Sequence, residues 1–100
     1  MQLKRYDEAL ADFKLLLAAR EKQGRPGGIR IAHWFIAKTQ RLQGRLDEAR
    51  DTQLRLEREW DAAGQPDPYV FEELEALYKT RGDSERAAHY AARLKATKTP

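Results

Sequence analysis

A short acidic–alanine signature recurs along this chain at a nearly constant interval, and the recurrence constrains the fold more than any other feature. Tyr6-Asp7-Glu8-Ala9 returns forty residues on as Leu46-Asp47-Glu48-Ala49. Gly44-Arg45-Leu46-Asp47-Glu48-Ala49 returns thirty-eight residues on as Gly82-Asp83-Ser84-Glu85-Arg86-Ala87. A period of this length marks a chain built from supersecondary units that bury their apolar faces only by stacking on one another.

Between the signatures, glycine and proline break the chain at Gly24 to Gly28, Gly44-Arg45, Gly64 to Asp67 and Gly82-Asp83. The pieces left over, about 3–23, 29–43, 46–63, 67–81 and 84–96, all carry apolar residues at helical spacing. The first aligns Leu3, Tyr6, Leu10, Phe13 and Leu17, and the fourth aligns Val70, Phe71, Leu74, Leu77 and Tyr78. β-branched residues are confined to Ile29, Ile31, Ile36, Val70 and five threonines, too few to furnish a sheet. The fold class expected is therefore all-α. Asp67 before Pro68 reads as an N-cap followed by a first-turn proline, and Asp83 as a second N-cap. The breaks predict long connections after the first and third helices and short ones after the second and fourth. Helices two and three then form one hairpin, and four and five another.

At this point the chain resembles the tetratricopeptide repeat family, in its elongated variety of 38–40 residues. Phe71, Leu74 and Tyr78 fall at first-helix positions of that motif, Gly82 at its turn, and Ala87 and Ala91 at second-helix positions. The preceding unit supplies Ile36, Ala37, Gly44 and Ala49, and the first supplies only its second half, with Tyr6, Ala9 and Phe13. Gln40 departs from the usual Tyr, Glu75 from a small residue and Asp61 from the terminal Pro. The resemblance implies a right-handed superhelical stack of antiparallel hairpins in a single domain spanning 1–100. Residues 1–23 form the lone second helix of a first unit, 29–63 a second unit and 67–96 a third. The alanines are the close-packed seam, where a bulkier side chain overpacks.

Five helices leave the first without a hairpin partner, and two or three units lie near the minimum for a solenoid. The chain is thus expected to be a piece of a longer repeat regulator, or to self-associate through Leu3, Leu10, Phe13 and Leu17 as a homodimer.

Catalytic and metal chemistry find no support in the residues. Cysteine is absent, which removes thiolate nucleophiles, thiolate metal ligands and disulfides. The two histidines, His33 and His89, show no zinc spacing. Asp7-Glu8 and Asp47-Glu48 sit in first turns, where carboxylates favour the helix dipole. Asp47 and Asp51 lie among Arg45, Arg50 and Arg55. Gly24-Arg25-Pro26-Gly27-Gly28 lacks the Lys-Ser/Thr ending of a phosphate loop and reads as an ordinary connection. No enzyme activity, cofactor or metal is expected. The chain lacks a membrane-length apolar run and the apolar core of a secretory leader, so a cytoplasmic protein is the expectation, and its Ala- and Arg-heavy composition suggests a bacterial one.

The net charge of +3 is a small surplus spread over a mixed surface, with a mild bias toward acidic partners. The resemblance implies a protein or peptide partner on a concave face lined by first helices. In this chain that face is Ile31, Trp34, Lys38 and Arg41 of the second helix, with Tyr69, Glu72 and Lys79 of the fourth. An aromatic among cations is a suitable anchor, although Trp34 packed beneath the first helix is an equally open reading. Nucleic-acid binding through Arg30, Lys38, Arg41 and Arg45 is the disfavoured alternative, because a phosphate-tracking surface shows a larger cluster.

Overall fold

A computed structural model describes residues 3–98. These form five helices and no strand: α1 Leu3–Gln23, α2 Pro26–Leu42, α3 Leu46–Ala62, α4 Pro68–Thr80 and α5 Ser84–Lys98. The chain divides into two compact units between Thr52 and Gln53, inside α3.

In the first unit, α1 and α2 are an antiparallel hairpin. Asp7 near the start of α1 accepts a 2.6 Å hydrogen bond from the Gln43 amide at the end of α2. Midway, Phe13 stacks on Phe35 with ring centres 5.0 Å apart. At the closed end, the Arg20 stem lies against Gly28. The expected loop over Gly24 to Gly28 is therefore corrected: only Gly24 and Arg25 lie between the helices, and α2 starts at Pro26 rather than near 29. Proline suits a first helical position, where its fixed φ is already helical and its missing N–H has no acceptor to lose. Gly28 sits in the first turn because a Cβ there stands 3.2 Å from Cδ of Arg20. Its glycine thus serves a close helix approach, not a turn. The expected long first connection is short, and α1 has a hairpin partner of its own.

The interior of this unit gathers Leu10, Ala32, Ile36, Ala37 and Ala49, all buried. Ala37 and Ala49 are wholly inaccessible. Gln40 is buried and donates its side-chain amide toward Glu48 at 3.5 Å.

The second unit comprises the later turns of α3 with α4 and α5. Asp67 caps α4, its Oδ1 accepting the Tyr69 N–H at 3.0 Å, with Pro68 in the first turn. Asp83 caps α5 by accepting the Arg86 N–H at 3.1 Å. Both caps fall where the residue types placed them. Val70, Phe71, Leu74 and Leu77 are almost wholly buried. Removing each such side chain from water is worth about 2 kcal/mol relative to leaving it exposed. Tyr78 and Tyr90 stack 5.8 Å apart with planes 3° from parallel, joining α4 to α5.

The helix ends at Gly44, Gly64 and Gly82 share one backbone hydrogen-bond pattern; at the middle one Gln65 donates to the Trp60 carbonyl at 2.9 Å and Gly64 to Asp61 at 3.0 Å. The Arg45 N–H donates to the Gln40 carbonyl at 2.9 Å and the Gly44 N–H to Arg41 at 3.0 Å. Thirty-eight residues later, Asp83 donates to Tyr78 at 2.9 Å and Gly82 to Lys79 at 3.1 Å. Both turns close the helix with a glycine at positive φ, 84° at Gly44 and 77° at Gly82, the conformation that glycine alone adopts without a Cβ clash.

Candidate partner-binding faces

The pattern of burial along α2 separates two sides. Ala32, Ile36, Ala37, Thr39 and Gln40 are buried, while Ile31 is 49% exposed on the opposite flank. At 3.6 residues per turn, Ile31, Trp34, Lys38 and Arg41 share that outward flank. Trp34 is half-buried, and its ring stands edge-to-face with that of its chain neighbour Phe35 at 5.0 Å. The Lys38 ammonium stands 5.1 Å from the Trp34 ring centre, within cation–π range. Arg41 is half-buried at the end of the stripe. Both Trp34 contacts lie within α2 itself, one with Phe35 and one with Lys38. No acidic residue occurs in α2, whose charges are Arg30, Lys38 and Arg41.

On α4, Tyr69, Glu72 and Lys79 share another stripe and are all exposed, Tyr69 by 63%. Lys79 is held by Glu75 at 3.0 Å. Beside that pair, a groove of about 420 Å³ opens between α4 and α5, floored by Ala87, Ala88 and Ala91. Glu75 is thus a groove-rim charge paired along the helix.

The residues assigned to self-association face the hairpin. Leu10 is buried, Phe13 is stacked on Phe35, and Leu17 is half-buried. Leu3 starts α1, but its side chain lies outside the described residues. Among the described side chains of α1, the large apolar one left in solvent is instead Leu15, 71% exposed.

The other charged clusters are structural. Arg50 pairs with Asp47 at 3.7 Å and Asp51 at 3.1 Å, engaging both carboxylates of that acidic pair. His89 is exposed and meets Tyr90 edge-on at 4.8 Å. Among the described residues no three His, Asp or Glu side chains gather as a metal site, and no helix is long and apolar enough to cross a membrane.

One constellation escaped the reading by residue type. Tyr90 donates to Glu57 at 2.8 Å, and Arg93 bonds both Glu57 and Asp61 while lying 4.2 Å from the Phe71 ring centre. Burial, and then the Glu57 carboxylate, push the Tyr90 hydroxyl well above the usual phenolic range. The bond to Asp61 raises Arg93 further. Tyr90 lies on the stripe of Ala87 and Leu94, so helical spacing could have placed it inside. Nothing in the sequence pairs Arg93 with a carboxylate thirty-six residues away.

The chain matches no family model, no curated protein and no solved structure.

Proposed function

We propose that this chain is a non-catalytic protein–protein interaction module of the tetratricopeptide kind, a scaffold or adaptor that holds a peptide segment of its partner. The observation that carries the reading is the outward stripe of α2: exposed Ile31 beside the Trp34 ring with the Lys38 ammonium over it, on a helix without a carboxylate. An aromatic anchor rimmed by cations recognises an apolar side chain flanked by acidic residues. The partner is accordingly an acidic segment with one bulky apolar residue. The recurrence of the Gly44 to Ala49 signature at Gly82 to Ala87 and the buried Ala37, Ala49 and Ala87 support the repeat assignment. The right-handed stacking implied by the resemblance is part of the same proposal.

The test is fluorescence anisotropy with a panel of acidic peptides carrying one Leu, Phe or Trp, against basic peptides of equal length. Binding of acidic members, lost in the Trp34→Ala, Arg41→Ala double variant with helicity retained, supports the module. Equal binding of both panels, or none, counts against it. Tight salt-sensitive retention of random DNA would move the assignment to nucleic acid.

A further inference from the structure

With 3.6 residues per turn, α1 has two opposite sides. Tyr6, Leu10, Phe13 and Leu17 lie on the side turned to the hairpin, with Leu10 buried and the other three half-buried. The other side is entirely exposed: Glu8, Ala11, Leu15, Ala18 and Lys22, alternating steps of three and four residues, with Asp12 and Ala19 at its margins. Alternating steps of three and four are the spacing of a helix-pairing seam. Leu15 sits at the midpoint, 71% exposed, between alanines small enough to let a second helix approach closely.

Two charges on this face, Glu8 and Lys22, stand symmetrically about Leu15 with opposite sign, while the marginal Asp12 mirrors onto Ala18. Glu8 lies seven residues before Leu15 and Lys22 seven residues after it; Ala11 and Ala19 lie four residues to either side. A two-fold axis through Leu15 therefore sets Glu8 against Lys22 of the second copy, Ala11 against Ala19, and Leu15 against Leu15. Parallel pairing sets Glu8 on Glu8 and Lys22 on Lys22, which repel. Two-fold contacts of one patch with itself are the commonest way identical chains associate. We infer that a second copy of this chain covers the outer face of α1, in an antiparallel two-fold dimer centred on Leu15. The occupant is fixed by charge complementarity, and the peptide-binding reading of α2 is not needed for it. A contact along a single helix lies at or below about 1,200 Å², so the dimer is weak and reversible.

The experiment is sedimentation equilibrium of the full chain over a wide concentration range. The expected result is a mass rising from monomer toward dimer. Leu15→Glu abolishes the rise with an unchanged helical circular dichroism spectrum, since Leu15 is not in the core. Glu8→Lys and Lys22→Glu, each alone, weaken association several-fold, because each makes both ends of the seam alike in charge. An equimolar mixture of those two variants restores it, because one chain then presents a basic residue at both ends of the seam and the other an acidic residue at both. A chain monomeric throughout, a dimer indifferent to Leu15→Glu, or a mixture no better than its components overturns the inference.

Discussion

Arg93 of α5 lies 4.2 Å from the ring centre of Phe71 of α4, so a cation covers one of the most deeply buried aromatics of the second unit. The same guanidinium bonds Glu57 and Asp61 of α3, and Glu57 also accepts the Tyr90 hydroxyl. Three helices thus meet on one side chain. The Arg93 side chain is 30% exposed and that of Glu57 14%, so the pair is shielded from water without being cut off from it.

Arg93→Ala should destabilise the chain by about 2 kcal/mol, less than the roughly 3–5 kcal/mol of a fully buried broken pair because solvent still reaches the site. It removes both ion pairs and leaves Glu57 half-buried without its cation. Arg93→Lys should recover only part of the loss, since an ammonium cannot fork between two carboxylates and cover a ring at once. Urea denaturation midpoints of the three proteins check this. Equal stability of Arg93→Ala and the parent would dismiss the network.

A second expectation concerns alkaline pH. The Tyr90 hydroxyl is held neutral in the folded chain by burial and by Glu57. A group whose folded pKa is raised contributes stability below its unfolded value of about 10, and that contribution is lost as pH climbs beyond it. Tyr90→Phe keeps the ring stacked on Tyr78 and removes the titration. Its stability should start lower and then decline less steeply above about pH 10 than that of the parent. Parallel stability profiles across this range would refute the assignment.

The two helix caps should respond oppositely to acid. The backbone N–H and then the side chain of Arg86 hold the Asp83 carboxyl below its usual range. Its stabilisation is present above the unfolded value of about 3.9 and lost as pH falls through the lower folded value. Asp67 is raised by burial, which outweighs the bond from the Tyr69 N–H. Through Asp67, stability falls instead as pH rises past about 3.9 toward the higher folded value. Asp83→Asn should therefore flatten the acid-side loss of stability, and Asp67→Asn should steepen it. Thermal midpoints between about pH 2 and 6 distinguish the two; identical profiles contradict both assignments.

Gly82→Ala should cost about 1–2 kcal/mol, and the cost should be purely conformational. A Cβ at Gly82 meets no more distant part of the chain within 4 Å, so the penalty comes from the positive φ of 77°, where the Cβ crowds the local backbone, and not from packing. Asn, which tolerates left-handed backbone better, should cost less than Ala. The order Gly, Asn, Ala in thermal midpoint is the check, and an alanine variant as stable as the parent would contradict the turn.

Much of this architecture was legible from residue types. Helical spacing and the glycine breaks placed α1, α3, α4 and α5 to within a residue or two, and Asp67-Pro68 and Asp83 marked two helix starts. The first turn of α2 was not legible. Pro26-Gly27-Gly28 has the composition of a loop, and only the Arg20 stem lying across Gly28 makes a glycine useful inside a helix there. That difference shortened the first connection and gave α1 a hairpin partner. It also turned Leu10 and Phe13 inward, away from the role that an unpartnered helix had assigned them. The stripe of α2 was readable as a set of positions, but the sharing of Trp34 between Phe35 and Lys38 was not.

The division follows from the range of the forces. Periodicity, capping and glycine at a turn act within a few residues, so the order of elements and the helix ends at Gly44, Gly64 and Gly82 were determined by the sequence alone. Which face of α1 is spent inside the hairpin, and which carboxylates hold Arg93, depend on groups far apart in the chain that meet only after packing. Close packing and desolvation act between such groups, and only the tertiary structure decided them.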